Sequence, residues 1–299
     1  MDKIIRCITS DGSIMASAIV STDIVATAQQ VHNLSPVATA ALGRLLTGAS
    51  LMGAQLKQQR AALTLRIKGD GPIGALVASA NSNGNVRGFA ENPGCRTDYY
   101  DNGKLNVSNA VGKNGYLYVV RDYGTGDPYN GVVELVSGEI AEDITSYYAN
   151  SEQIPTVCAL GVLVDKEDGG VLLAGGMLIQ LLPGATTEIA EKLEANIGKL
   201  ESVTTMLAKG ISTLDMCKLA LDGFEVEVLD EMPVNYYCTC SRARVEHSFA
   251  TLQDEQLRDM VNSNGNVEAV CHYCNKKYIF TEKEIEAFIS QRKASAEKK

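Results

Sequence analysis

The placement of the cysteines constrains this chain more than any other feature. Cys238-Thr-Cys240 and Cys271-His-Tyr-Cys274 form two close pairs separated by thirty residues, whereas Cys7, Cys95, Cys158 and Cys217 stand singly. A small fold can bring two such turns together, and four thiolates in a tetrahedron are a donor set that Zn²⁺ favours. Cys238, Cys240, Cys271 and Cys274 are therefore expected to bind one zinc ion per chain. The four scattered cysteines are expected to pack as small apolar side chains. The N-terminus, Met1-Asp-Lys-Ile-Ile-Arg-Cys7, has no apolar run of signal-peptide length, so a cytoplasmic, reducing location is expected and disulfide staples are not. His272 is an alternative ligand, although an exposed imidazole in the turn is its simpler use.

Zinc in a purely structural role is the plain reading of such a cluster. Oxidation of a thiolate to sulfenic acid and then to disulfide removes its ability to hold a metal. The short segment around the cluster carries little apolar mass, so its folding is expected to depend on the metal. Oxidation should then unfold it, and a redox switch follows. The first pair is C-x-C, unlike the C-x-x-C knuckle of ordinary zinc ribbons.

Upstream of the cluster the pattern is that of a globular chain: 299 residues, 45% apolar and 21% charged. Strand patterns at residues 3 to 9 and 13 to 20 flank an Asp11-Gly12 turn. Ser35 and Pro36 then open an Ala- and Leu-rich helix to about residue 56, with small residues suited to burial on several faces. Further strands are expected at 61 to 67, 73 to 80, 85 to 91, 115 to 122, 130 to 136, 156 to 165 and 170 to 180, with a helix over 139 to 150. After Pro183-Gly184 the period becomes helical, over 186 to 208 and 211 to 222. The fold class expected is α+β: a mainly antiparallel sheet domain with packed helices (1–183), a helical middle layer (184–223), a linker (224–235) and a small C-terminal zinc-binding redox-switch domain (236–292). The Lys-rich tail after Arg292 is expected to be disordered.

Charge and motifs exclude several functions. Of the net charge of −9, none arises from Glu231 onward, where ten Lys/Arg balance ten Asp/Glu; an acidic body argues against nucleic acid as the main partner. The apolar stretch over residues 171 to 182 is too short to span a bilayer and is broken by Gly175, Gly176 and Gln180, so no membrane partner is expected. Gly69-Asp-Gly-Pro-Ile-Gly74 matches a dinucleotide fingerprint but lacks the following helix whose N-terminus would receive the pyrophosphate; a turn between strands is expected. With three histidines and no nucleophile elbow or His-Glu-x-x-His motif, no catalytic residues are expected and the chain is read as a non-enzyme.

The whole pattern resembles the heat shock protein 33 family of redox-regulated holdase chaperones. The resemblance rests on the C-x-C and C-x-x-C pairs and on Ser35-Pro-Val-Ala-Thr-Ala-Ala-Leu-Gly-Arg-Leu-Leu46, Lys68-Gly-Asp-Gly-Pro-Ile-Gly74, Gly131-Val-Val-Glu-Leu-Val-Ser-Gly-Glu-Ile-Ala141, Ser151-Glu-Gln-Ile-Pro155, Gly175-Gly-Met-Leu-Ile-Gln-Leu-Leu-Pro-Gly184 and Cys271-His-Tyr-Cys-Asn275, spread over nearly the full length. It implies an ATP-independent stress-response chaperone that is inactive when reduced and zinc-bound. Under oxidative stress it would lose zinc, form disulfides, unfold its C-terminal part, become a homodimer and hold unfolded client proteins. The resemblance also implies the pairing Cys238–Cys240 and Cys271–Cys274, which loop-closure entropy favours once the chain has loosened. Two other readings stand beside it: a zinc-ribbon nucleic-acid binder using Arg242, Arg244, Lys276 and Lys277, and a thiol oxidoreductase working through Cys271 and Cys274.

Overall fold

The computed structural model describes residues 1–101 and 103–296. The chain forms two compact units, Met1–Tyr237 and the part from Cys238 onward. In chain order the first unit contains β1 (Lys3–Thr9), β2 (Ile14–Val20), α1 (Thr22–His32), α2 (Pro36–Gly53), β3 (Ala62–Lys68), β4 (Ala75–Asn81), β5 (Val86–Ala90), α3 (Val107–Val111), β6 (Tyr116–Asp122), β7 (Tyr129–Glu134), α4 (Ala141–Tyr147), β8 (Thr156–Val164), β9 (Val171–Leu181), α5 (Thr187–Ile197), α6 (Val203–Ala208), α7 (Thr213–Ala220) and β10 (Val226–Pro233). A π-helical turn, Tyr148–Glu152, extends α4. The second unit contains α8 (Arg242–Phe249), α9 (Asp254–Asp259), β11 (Asn266–Val270), β12 (Lys277–Thr281) and α10 (Glu282–Ala296).

The first unit is α+β, as expected, with two five-stranded sheets in the orders β10-β1-β2-β9-β8 and β5-β4-β3-β6-β7. Every pairing within them is antiparallel. Helix α2 joins the core they share. Ser35 caps it by accepting the Ala38 N–H, Pro36 occupies its first turn, and of its 18 residues only Pro36 and Arg44 escape full burial. Its small residues permit close approach: a Cβ at Gly43 would lie 2.7 Å from Val25 Cγ1 and 3.0 Å from Val162 Cγ2. A second apolar cluster joins β1, β2 and β9 to α5, α6 and α7, so the first sheet is covered on both faces. That double burial explains why β9 does not alternate between buried and exposed residues but stays buried from Ala174 to Gln180.

Three local expectations need correction. The stretch from Phe224 to Val234, read as linker, contains β10, which pairs along all of β1 with a register shift between Arg6 and Cys7. Its loose alternation is that of a half-exposed edge strand. Arg6 fixes it, with Nε donating to Asp230 Oδ1 at 2.8 Å and a second guanidinium contact to Asp230 Oδ2. The helix expected over 186 to 208 breaks after Ile197, and Ser202 caps a separate α6 by accepting from Thr205 N. The tail after Arg292, expected to be disordered, remains helical to Ala296; residues 297–299 lie outside the described residues. Arg292 anchors that last stretch by donating to Leu252 O at 2.6 Å and pairing with Asp254.

Gly69 and Gly71 lie in the turn between β3 and β4, with no helix following. A Cβ at either would strike the carbonyl of Val111 or Ala110 at 2.1 and 2.3 Å. These glycines serve close backbone packing. No helix among the described residues is long and apolar enough to cross a membrane.

Candidate metal centre

The second unit has a small core of its own: Phe249, Leu257, Val267, Tyr278, Phe280, Ile285 and Ile289 are buried together. Phe249 meets Phe280 edge-on, with ring centroids 5.0 Å apart. The hairpin of β11 and β12 presents the second cysteine pair in its turn. Asn275 N donates to Cys271 O at 2.8 Å, Cys271 N donates to Lys276 O at 3.0 Å, and the reversal is completed by Asn275 at φ 54°. Asparagine tolerates this left-handed conformation better than most residues. The first pair lies on extended chain directly before α8, whose cap, Ser241, accepts from Arg244 N.

These two segments bring the sulfurs of Cys238, Cys240, Cys271 and Cys274 within 4.8 Å of one another. The shortest recorded approaches cross between the pairs, Cys238 to Cys271 at 3.7 Å and Cys240 to Cys274 at 3.3 Å. A tetrahedral thiolate site with metal–sulfur bonds of about 2.3 Å has sulfur edges of about 3.8 Å, so the donor set and its spacing fit zinc. All four cysteines are half-buried. His272 is exposed and is not one of the clustered donors.

The surroundings treat the four thiols unequally. Burial pushes Cys240 upward, but hydrogen bonds from Tyr278 and the other sulfurs outweigh it and bring this thiol down to about 7. Burial raises Cys238 and Cys274. A cluster that ionises one thiol readily and resists ionising its neighbours calls for a cation to hold several thiolates together. Tyr278 Oη donates to Cys240 Sγ at 3.1 Å, and this bond is the first cause of the tyrosine's own rise to about 12. The sequence reading did not single out Tyr278; its signal is an aromatic residue two positions into the strand leaving a C-x-x-C turn.

The basic residues nearby are engaged within the unit. Arg242 donates to Ile279 O at 2.6 Å, pairs with Glu284 at 2.7 Å and lies 4.0 Å over the Phe280 ring. Lys277 pairs with Glu268 at 2.8 Å, Lys276 lies over Tyr278, and Arg244 donates to Thr239 Oγ1. The scattered cysteines are buried as expected. Cys158 is pushed up to about 12 by burial.

Comparison with known proteins adds to this geometry. The family profile described as Hsp33 protein matches residues 2–281. A 33 kDa chaperonin of Acetivibrio thermocellus is 45% identical over 284 residues, covering 95% of each chain. One from Bacillus subtilis is 41% identical over 291 residues, covering 97% of this chain and 99% of the relative. The crystal structure of the 33 kDa chaperonin (heat shock protein 33 homolog) from Thermotoga maritima has a TM-score of 0.88 at 35% identity, covering 97% of this chain and 98% of that one.

Proposed function

Because the chain belongs to the Hsp33 family of chaperones, we propose that it is a redox-regulated, ATP-independent holdase whose switch is the four-cysteine cluster. The observation that carries the proposal is the convergence of Cys238, Cys240, Cys271 and Cys274 from two separate segments to within 4.8 Å. As thiolates these residues would hold one zinc ion, and a bound ion would cross-link the extended chain before α8 to the β11–β12 turn. With seven buried apolar residues behind it among the described residues, this unit depends on that cross-link.

Oxidation by a peroxide removes two electrons from each pair of thiolates and forms one S–S bond per pair, while the peroxide takes those electrons and two protons from solvent to become two waters. Thiolates spent in this way no longer serve as ligands, and the unit loosens. Apolar surface, including the Phe249–Phe280 core, then becomes available to unfolded clients, and a homodimer forms. A cytoplasmic setting, where thiols are kept reduced until stress, suits such a switch.

A nucleic-acid interface is disfavoured because Arg242 and Lys277 are paired with carboxylates and Lys276 and Arg244 are engaged locally. A non-enzymatic role is favoured over a thiol oxidoreductase by the sulfur cluster, in which Cys274 has three thiol neighbours and burial raises its pKa. The test is light scattering of a chemically denatured client, without nucleotide, in the presence of reduced or peroxide-treated protein. Suppression only by the oxidised form is expected; equal suppression by both forms contradicts redox control, and catalytic turnover of a disulfide substrate would favour the oxidoreductase.

A further inference from the structure

The first sheet ends at β8, and the outer edge of that strand is open within a groove. Leu181 N donates to Pro155 O, and the register places Thr156 opposite Gln180. Residues 157, 159, 161 and 163 therefore make the ladder with β9, while 158, 160 and 162 direct their N–H and C=O groups away from it. Cys158 agrees, since its N–H leaves the ladder to reach Thr145 Oγ1 at 3.2 Å. Beyond it, among the described residues, no hydrogen bond is recorded from the outward backbone groups of Leu160 and Val162.

Those two residues line a groove of about 510 Å³. One wall is the N-terminal half of α2, with Pro36, Ala40 and Arg44, and the other is α6. The side chains of β8 alternate between the walls: Val162 lies against the α2 side at Gly43, and Gly161 lies against Thr204 of α6, where a Cβ would approach to 2.8 Å. Arg44, Lys104 and Lys166 make the lining predominantly positive. Asp165, the one carboxylate among the described lining residues, already accepts the amides of Glu167 and Asp168. Arg44 is bound to Glu139 through Nη1, yet its buried Nε has no partner.

We propose that this groove binds an extended segment of a non-native polypeptide, which adds as a strand to β8. The inference rests on the chaperone reading. Main-chain groups at two-residue intervals call for a strand, and the small side chains of Ala40 and Ala208 leave room for alternate side chains of the guest. The cationic lining selects a segment that carries a carboxylate on the α2 side. A second copy of this chain does not fit: its own β8 is recessed between the same two walls and carries the same cations. The span from Leu160 to Val164 accommodates about five residues at about 3.3 Å each.

The probe is a fluorescent heptapeptide, Val-Thr-Val-Glu-Val-Thr-Val, on a polar spacer, titrated into the full chain in reduced and oxidised forms. Two further versions carry backbone N-methyl groups at alternate positions, one set on each edge of the strand. One methylated version should lose about tenfold or more in affinity while the other binds like the parent, because only one edge faces β8. Amide exchange at Leu160 and Val162 should slow by about tenfold on binding, with Gly161, already in the ladder, unchanged. Replacing the central glutamate by lysine should weaken binding, and so should Ala40→Glu in the protein. Equal behaviour of the two methylated peptides overturns the proposal, as does protection at Leu160 and Val162 that depends on protein concentration without peptide. Suppression of client aggregation is measured on the same preparation. Suppression without peptide binding removes the groove and leaves the chaperone reading standing; no suppression in either redox state removes the chaperone reading itself.

Discussion

Tyr278→Phe isolates one interaction at the cysteine cluster. The substitution deletes only the hydroxyl that donates to Cys240 Sγ at 3.1 Å and leaves the ring, which is 7% exposed, in the core beside Phe280. Hydrogen bonds to charged acceptors contribute about 1.5–3 kcal/mol. Cys240 is half-buried and its sulfur is a soft acceptor, which places the loss at the lower end, about 1.5 kcal/mol. That corresponds to about a tenfold weaker zinc affinity, within the range found when groups bonded to metal ligands are removed. The assay is competition for zinc against a chromophoric chelator on fully reduced protein at fixed pH. Thermal unfolding at saturating zinc, compared between the variant and the unaltered chain, checks that the core is intact. An affinity within twofold of the unaltered protein would refute the reasoning, because it would mean that the hydroxyl does not stabilise the thiolate that holds the metal.

Three other outcomes are expected. Gly43→Val should destabilise the first unit by about 2 kcal/mol through overpacking, read as a lower urea midpoint, since the new side chain meets the stiff valines 25 and 162. Asp11, held down to about 2 by hydrogen bonds from Thr9 and Ser13, has a folded pKa below its ordinary 3.8. Its contribution is present above about pH 4 and is lost as the pH falls towards 2, so the stability difference between the unaltered chain and Asp11→Asn should shrink across that window in acid titrations of unfolding. Peptide mapping of oxidised protein should find Cys238–Cys240 and Cys271–Cys274; in the folded unit the shortest recorded sulfur approaches cross between the pairs, and only a loosened chain gains the roughly 2 kcal/mol by which short loops close more easily than a thirty-residue one. A dominant cross-link between the pairs would show that the unit stays folded during oxidation.

The parts of this molecule that were legible in the sequence are those whose causes are local. Ser35 and Pro36 announce α2 because a cap and a fixed φ act within one turn, and the strand pairs from β1 to β9 follow alternation and turn residues. The cysteine cluster was legible because two close pairs joined by thirty residues are a spacing that suits a four-thiolate site. What escaped is set by distant partners. β10 looks like a linker until it is seen beside β1, more than 220 residues earlier, with Arg6 reaching Asp230. α1 receives no side-chain cap from Ser21; Asp2 accepts the Ile24 and Asp23 amides instead. Tyr278 contacts Cys240 across two helices, a strand and a turn, a relation no window along the chain contains. The open edge of β8 is likewise invisible to periodicity, since an edge strand and a central one can share the same apolar pattern.

The central claim is that oxidation of Cys238, Cys240, Cys271 and Cys274 couples loss of the metal to gain of holdase activity. Zinc released to a chromophoric chelator and suppression of client aggregation can be followed in the same samples, withdrawn at intervals after addition of peroxide at elevated temperature. The account predicts release approaching one zinc per chain, with suppression rising in proportion to the fraction released and both reversed by a dithiol reductant with zinc present. Full suppression while zinc remains bound, or complete release without any suppression, would contradict it.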